Sequence, residues 1–319
     1  MKILVIGGTS FIGRHLVETA NDNGHELVLF NRGKTNPGIF EGMRHIQGDR
    51  KVDAHVLGNE DWDAVIDTCG YTPNDVKPVI DAIKNKTNLY MFISTISVYD
   101  NFKDGRPNEK SSTYKQQIET EEVTGETYGP LKVMCEDLVN KAFGNKALII
   151  RPCIVVGPHD PTDRFTYYAT RLAKEGPVAL PGGHEPHRKV QWIDVRDMAK
   201  WIMKMLESGT TGTYNAASNP ISLDEFMDEI APIPIQKEWL SDEKLESEDL
   251  GARRFPFWVP ISEDYPEGFI IVDNRHAVEH GLTFRALSET AQDTRDWFGN
   301  RELKAGPTSE MEIAFLRKK

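Results

Sequence analysis

The chain has 319 residues, 39% hydrophobic and 27% charged, which is enough apolar material for one or two packed domains and too much for a disordered chain. A formal net charge of −11 argues against nucleic acid or an acidic membrane as a general partner, because binding phosphates requires a basic face. The start of the chain does not read as a signal peptide and no apolar segment approaches a membrane span. The three cysteines, Cys69, Cys135 and Cys153, lack CxxC spacing, so the expected setting is cytoplasmic, with no disulfide framework.

Lys2 to Ile6 is a short apolar run rich in β-branched residues, the pattern of a buried parallel strand. Gly7 and Gly8 end it in a turn, and helical spacing runs from Phe11 to Ala20. Strand, glycine turn and helix start form a phosphate cradle, in which backbone N–H groups and the positive end of the helix dipole meet a pyrophosphate. Gly7, Gly8, Thr9, Ser10, Phe11, Ile12 and Gly13 are therefore candidate dinucleotide-binding residues, although Ser10 stands where a central glycine is common. The alternative is an ordinary tight turn between strand and helix.

Glu26 to Phe30 is a second strand, ending in Asn31 and Arg32. An acid at that point would hold a ribose 2′-hydroxyl, whereas an arginine accommodates a 2′-phosphate, so the expected cofactor is NADP, with NAD possible. His45 to Gly48 predicts a third strand, placing Asp49 and Arg50 at an adenine edge. Trp62 to Asp67 predicts a fourth, followed by the loop of Cys69, Gly70 and Tyr71, and a helix from Asn74 to Lys84 leads to a fifth strand, Leu89 to Ser94. Alternating strands and helices indicate a doubly wound parallel sheet, whose ligands bind beyond the carboxyl ends of the strands. Asn101 to Gly125 is polar and is expected to be a mobile loop over that site.

Tyr128-Gly129-Pro130-Leu131-Lys132 then opens a helix running to Phe143, with Pro130 tolerated in the first turn. Tyr128 and Lys132 lie one turn apart on one face. A phenol with an unperturbed pKa of about 10 is a poor acid or base at neutral pH, and a neighbouring ammonium would lower that value. On this reading Tyr128 exchanges a proton with a carbonyl oxygen that Thr95 and Ser94 orient. A surface tyrosine and a solvated lysine are the plain alternative for an isolated YxxxK.

With GGTSFIG, Asn31-Arg32, Gly48-Asp49-Arg50, ISTISVYD (93–100), YGPLK (128–132), RPCIVVGP (151–158), QWIDVRDMA (191–199) and TGTYNAAS (211–218) in this order, the sequence resembles the short-chain dehydrogenase/reductase superfamily. The resemblance is to its extended or atypical branch, related to nucleotide-sugar epimerases and dehydratases, and to the isoflavone-reductase-like atypical subgroup in its GGxxxxG spacing. It implies a catalytic triad of Thr95, Tyr128 and Lys132, with Lys132 also on the nicotinamide ribose and Arg151 closing over the nicotinamide. Cys153 to Pro158 lacks the asparagine common in sugar-nucleotide epimerases, and Val190 stands where many of those enzymes carry arginine.

The fold class expected is α/β, a doubly wound parallel (Rossmann) sheet with a smaller C-terminal substrate lobe. Residues 1–158 form the dinucleotide-binding domain, to which 190–220 return, and 159–319 form mainly the interleaved substrate lobe. Within that lobe Pro161 to Lys174 and Asp197 to Leu206 predict helices, and a last helix lies near Ser309–Arg317. His184 and His187 lack the helical spacing of a zinc motif, so no metal site is expected. Phe255, Phe257 and Trp258 read as packing volume, or as a wall of the substrate pocket. Three functions remain: a reductase moving hydride to or from a carbonyl or alcohol carbon, a nucleotide-sugar epimerase or dehydratase, and a nucleotide-sensing or RNA-binding protein on the same fold. No Asp-Glu pair follows Thr95, which weighs against dehydration. A small-molecule substrate is expected, with no nucleic-acid or membrane partner, and the resemblance makes a homodimer plausible.

Overall fold

Side chains on successive residues of a strand point to opposite faces of a sheet, so a strand buried on both faces must be apolar throughout. β1 (Lys2–Ile6) meets that demand: Ile3 and Val5 enter one core, Leu4 and Ile6 the other. The computed structural model describes residues 1–183, 188–247, 254–263 and 265–317, so the pair His184 and His187 lies outside the described residues. After β1 come α1 (Phe11–Asp22), β2 (Glu26–Asn31), β3 (Arg44–Gln47), β4 (Ala64–Asp67), α2 (Pro73–Ile83), β5 (Tyr90–Ile93), α3 (Tyr128–Phe143) and β6 (Ala147–Pro152).

The chain then leaves the main sheet. It forms β7 (Ile154–Val156), α4 (Arg164–Arg171), β8 (Pro177–Pro181), β9 (Lys189–Val190), β10 (Trp192–Asp194) and α5 (Val195–Glu207), and returns to the sheet as β11 (Gly212–Ala216). β12 (Ile221–Ser222), α6 (Leu223–Ile230), β13 (Gln236–Leu240), α7 (Asp242–Ser247), α8 (Arg275–Glu279), α9 (Leu287–Phe298) and α10 (Ser309–Arg317) follow. The main sheet has seven strands in the order β11-β6-β5-β4-β1-β2-β3, all parallel. The order reverses at β1 and β4, and the crevice between their ends is where ligands of doubly wound sheets bind.

α1 and α5 cover one face of the sheet, through Leu16, Val17, Ala20, Met198 and Ile202. α2 and α3 cover the other, through Val76, Val79, Ile80, Cys135 and Val139. A separate core holds the second lobe, where Phe165, Tyr168, Leu180, Phe226, Phe255, Trp258 and Phe315 pack together. Phe255 and Trp258 are thus core residues, and Trp258 also donates its indole N–H to Asp242 at 2.8 Å. The helix expected from Pro161 starts only at Arg164, because Gly157, His159 and Asp163 all take positive φ and shape a tight approach to it. No helix among the described residues is long and apolar enough to cross a membrane.

Candidate active site

The glycine turn owes its shape to backbone that side chains would obstruct. Gly7 and Gly8 have φ of +95° and +86°, a region that suits glycine. Gly13, one turn into α1, lies so close to the turn that a Cβ there would stand 2.9 Å from the backbone nitrogen of Gly8. Ser10 occupies the N-cap of α1 without a side-chain cap bond, and no acidic residue lies in the first turn. The first N–H groups of α1 therefore remain open to an anion, with the helix dipole behind them.

This turn forms one wall of a cleft of about 620 Å³. Gly7, Gly8, Thr9, Ser10, Phe11, Ile12 and Gly13 line it, as do Asn31, Arg32, Asp49, Arg50, Cys69 and Tyr71. Several of these side chains shape the cleft more than they offer groups to a ligand. The Asn31 amide donates to the Gly7 carbonyl (2.8 Å) and its oxygen accepts from Gly33 N and lies 2.8 Å from the His45 ring, pinning the end of β2 to the glycine turn. Arg50 is bidentate on the fully buried Asp67 at 2.9 and 2.6 Å and donates also to the Asp75 carbonyl, so its guanidinium is a brace under the floor. Lys34, Lys51, Asp75 and Pro161 also line the cleft and escaped the sequence reading. Lys51 was discoverable, since it directly follows the strand-end Asp49 and Arg50.

Gly70, Ser94, Thr95, Tyr128 and Lys132 do not line the cleft but gather beside it. The Tyr128 phenol neighbours Thr95, whose hydroxyl donates to that of Ser97 at 3.2 Å. Lys132 is buried and donates to the carbonyls of Gly70 (2.7 Å) and Ile93 (2.6 Å), with its ammonium 4.0 Å from the centre of the Phe92 ring. Burial lowers its pKa to about 8. The expectation that this ammonium lowers the Tyr128 pKa is not met: burial raises the phenol, opposed by the neighbouring Thr95 hydroxyl and, more distantly, by the Arg164 charge. Sequence spacing could not show that the carbonyls of Gly70 and Ile93 capture the Lys132 ammonium.

Arg151 also departs from expectation. Its guanidinium is bidentate on Glu136 at 2.9 and 2.6 Å and donates to the Tyr99 hydroxyl at 3.0 Å, and Tyr99 in turn donates to Asn215. This buried network ties α3 to β6 and β11 and keeps Arg151 out of the cleft. Ser94 lies where β5 ends, its hydroxyl buried and without a hydrogen-bond partner. Among the described residues no group of three or more His, Cys, Asp or Glu side chains is placed to hold a metal ion.

A model of the NAD dependent epimerase/dehydratase family matches residues 3–75 and 74–217. The Arabidopsis thaliana protein named chloroplast stem-loop binding protein of 41 kDa b is 28% identical over 199 residues, covering 57% of this chain and 50% of its own. The chain thus spans about half the length of that curated relative. Among solved structures, the UDP-N-acetylglucosamine 4-epimerase of Methanobrevibacter ruminantium, in complex with UDP-N-acetylmuramic acid, superposes with a TM-score of 0.70 at 16% identity, over 93% of this chain and 97% of its own. The UDP-glucose 4-epimerase of Thermus thermophilus, in complex with NAD, gives 0.66 at 16% identity, over 94% and 100%. At these identities the likeness is one of fold.

Proposed function

The chain belongs to the NAD dependent epimerase/dehydratase family, and from that premise we propose that it is an NAD(P)-dependent oxidoreductase acting at a carbonyl or alcohol carbon, with Tyr128 as its acid/base. The observation that carries this reading is the open N-terminus of α1 over a glycine turn, on a cleft with Tyr128 and Thr95 as neighbours beside it. Gly7 to Gly13 would hold the pyrophosphate of a dinucleotide, Asp49 and Lys51 would flank its adenine end, and Arg32 favours a 2′-phosphate because the end of β2 has no acid to hold a 2′-hydroxyl. Such a cofactor supplies or accepts hydride. Thr95 orients the substrate oxygen. A phenol raised by burial stays protonated through neutral pH, so Tyr128 is poised to donate its proton to that oxygen, the step a carbonyl reduction needs. Lys132 supports the floor between Gly70 and Ile93. The partner is a small molecule, and three free cysteines fit a reducing compartment such as the cytoplasm.

The solved epimerases favour a second reading, in which the cofactor is reduced and reoxidised within one turnover and does not leave. Denaturing the freshly purified protein, identifying released nucleotide, and titrating the emptied protein with NADPH and NADH by fluorescence separates the two. An empty protein preferring NADPH supports the reductase; tightly held NAD⁺ supports the epimerase and assigns Arg32 to the surface. A protein that binds neither refutes both. Tyr128→Phe should bind cofactor nearly as the parent does and lose turnover, and an active Phe variant would exclude this mechanism. The name of the Arabidopsis relative raises a nucleic-acid stem-loop as a ligand, in line with the RNA-binding alternative, which a net charge of −11 disfavours. RNA retained in filter binding at moderate salt would reverse that judgement.

A further inference from the structure

Between β5 and α3 the chain crosses residues 101–127 without a helix or strand. One side chain of this stretch grips the far side of the dinucleotide cleft. Glu121 Oε2 accepts a hydrogen bond of 2.5 Å from the hydroxyl of Thr72 and stands 4.0 Å from Lys51 Nζ. Thr72 is no ordinary surface hydroxyl: it is buried, caps α2 through a reciprocal box with Asp75, and follows directly on Tyr71. Tyr71, Asp75 and Lys51 all line the cleft, and Lys51 also reaches Asp75 at 3.3 Å. Glu121 therefore holds the outside of the same wall whose inside faces the ligand.

From Glu121 the chain reaches Tyr128 in seven residues, and that span is cross-braced. Thr124 and Thr127 exchange backbone N–H to hydroxyl bonds of 2.8 and 3.2 Å, Thr127 donates its hydroxyl to the Glu122 carbonyl, and Tyr128 N donates to the Thr124 carbonyl at 3.0 Å. A displacement at Glu121 is thus passed to the entrance of α3, where the phenol sits, with few free torsions to absorb it. We propose that Glu121 is a positioning residue that latches the 101–127 loop to the cleft wall, holding a bound dinucleotide in place and setting the catalytic tyrosine once it is there. This rests on the dinucleotide reading of the cleft. It implies that a bound dinucleotide leaves only after the latch opens.

The test uses the full chain with NADPH as the probe. The release rate is measured by stopped-flow displacement, and trypsin cleavage at Lys110 and Lys115 is followed with and without NADPH. In the parent, NADPH should slow cleavage of the loop. Glu121→Ala removes a charge-assisted bond and should speed release about tenfold to a hundredfold, with protection from trypsin lost and the melting temperature within a few degrees. Glu121→Gln keeps an acceptor for Thr72 and should recover most of the parent's slow release. Release by Glu121→Ala within twofold of the parent, or a Gln variant no better than Ala, overturns the latch while leaving the cofactor reading intact. A parent that takes up neither NADPH nor NADH overturns both.

Discussion

Replacing Lys132 with Met tests the most unusual energetic feature of the site. Burial holds the ammonium's pKa at about 8, against 10.5 for a free lysine. At about 1.4 kcal/mol per pKa unit, charged Lys132 costs the folded state about 3 kcal/mol below pH 8. Met removes that cost, but it also removes two donors from the carbonyls of Gly70 and Ile93, worth about 1 kcal/mol each. The two effects nearly cancel at pH 7, so a single melt decides nothing. The pH dependence does. Between the folded value near 8 and the unfolded value of 10.5 the unfolded chain binds the extra proton, so wild-type stability rises with pH relative to the variant. From pH 7 to pH 9.5 the wild type should gain about 2 kcal/mol on Lys132→Met. Urea unfolding of both proteins at the two values measures it, since other titrating groups are common to both and drop out. A difference that stays constant within about 0.5 kcal/mol would show that Lys132 is not a desolvated ammonium, and the account of its carbonyl contacts would fall with it.

Asp67→Asn should destabilise the fold by about 3–5 kcal/mol, since it leaves the Arg50 cation buried without its counter-charge. The double change Arg50→Met with Asp67→Leu should recover much of that loss, and equal unfolding midpoints for parent and Asp67→Asn would refute the pairing. Arg50 holds the Asp67 carboxyl below its usual value against the effect of burial, so this contribution stands above the ordinary carboxylate range and is lost as acid protonates Asp67. Gly13→Ala must push α1 away from the backbone of Gly8, at a cost of about 1–3 kcal/mol. It should weaken NADPH at least about tenfold by widening the phosphate cradle, and unchanged fluorescence titration would refute that role.

Much of the fold was legible because buried parallel strands must be continuous apolar runs, which is what β1, β2 and β5 are. The ends of β1 and β2 then located Gly7 and Asn31 at one rim of the sheet without any knowledge of tertiary contacts. What stayed hidden depends on residues distant in sequence. Nothing local pairs Arg151 with Glu136, Arg50 with Asp67, or Glu121 with Thr72, yet these pairings decide which charges face the cleft and which are internal braces. The parallel pairing of β8 with β13 was equally invisible, because both are short and neither shows a clean alternation. The aromatic cluster at Phe255 and Trp258 followed the ordinary tendency of large rings to fill volume.

The excursion that starts after β7 and ends at β10 behaves as a closed bight of rope, because the two strands are hydrogen-bonded neighbours: Ile154 lies opposite Trp192 and Val156 opposite Asp194. Its two ends are clamped a strand spacing apart whatever lies between them. Its interior is packed, with Phe165, Tyr168 and Leu180 in the second core, so length is added cheaply only in its turns, at about 0.6 kcal/mol for each doubling of a flexible loop, and such additions leave the seven-stranded sheet in register. An insertion in those turns would therefore leave the glycine turn and the strand ends of β1 to β6 where they are.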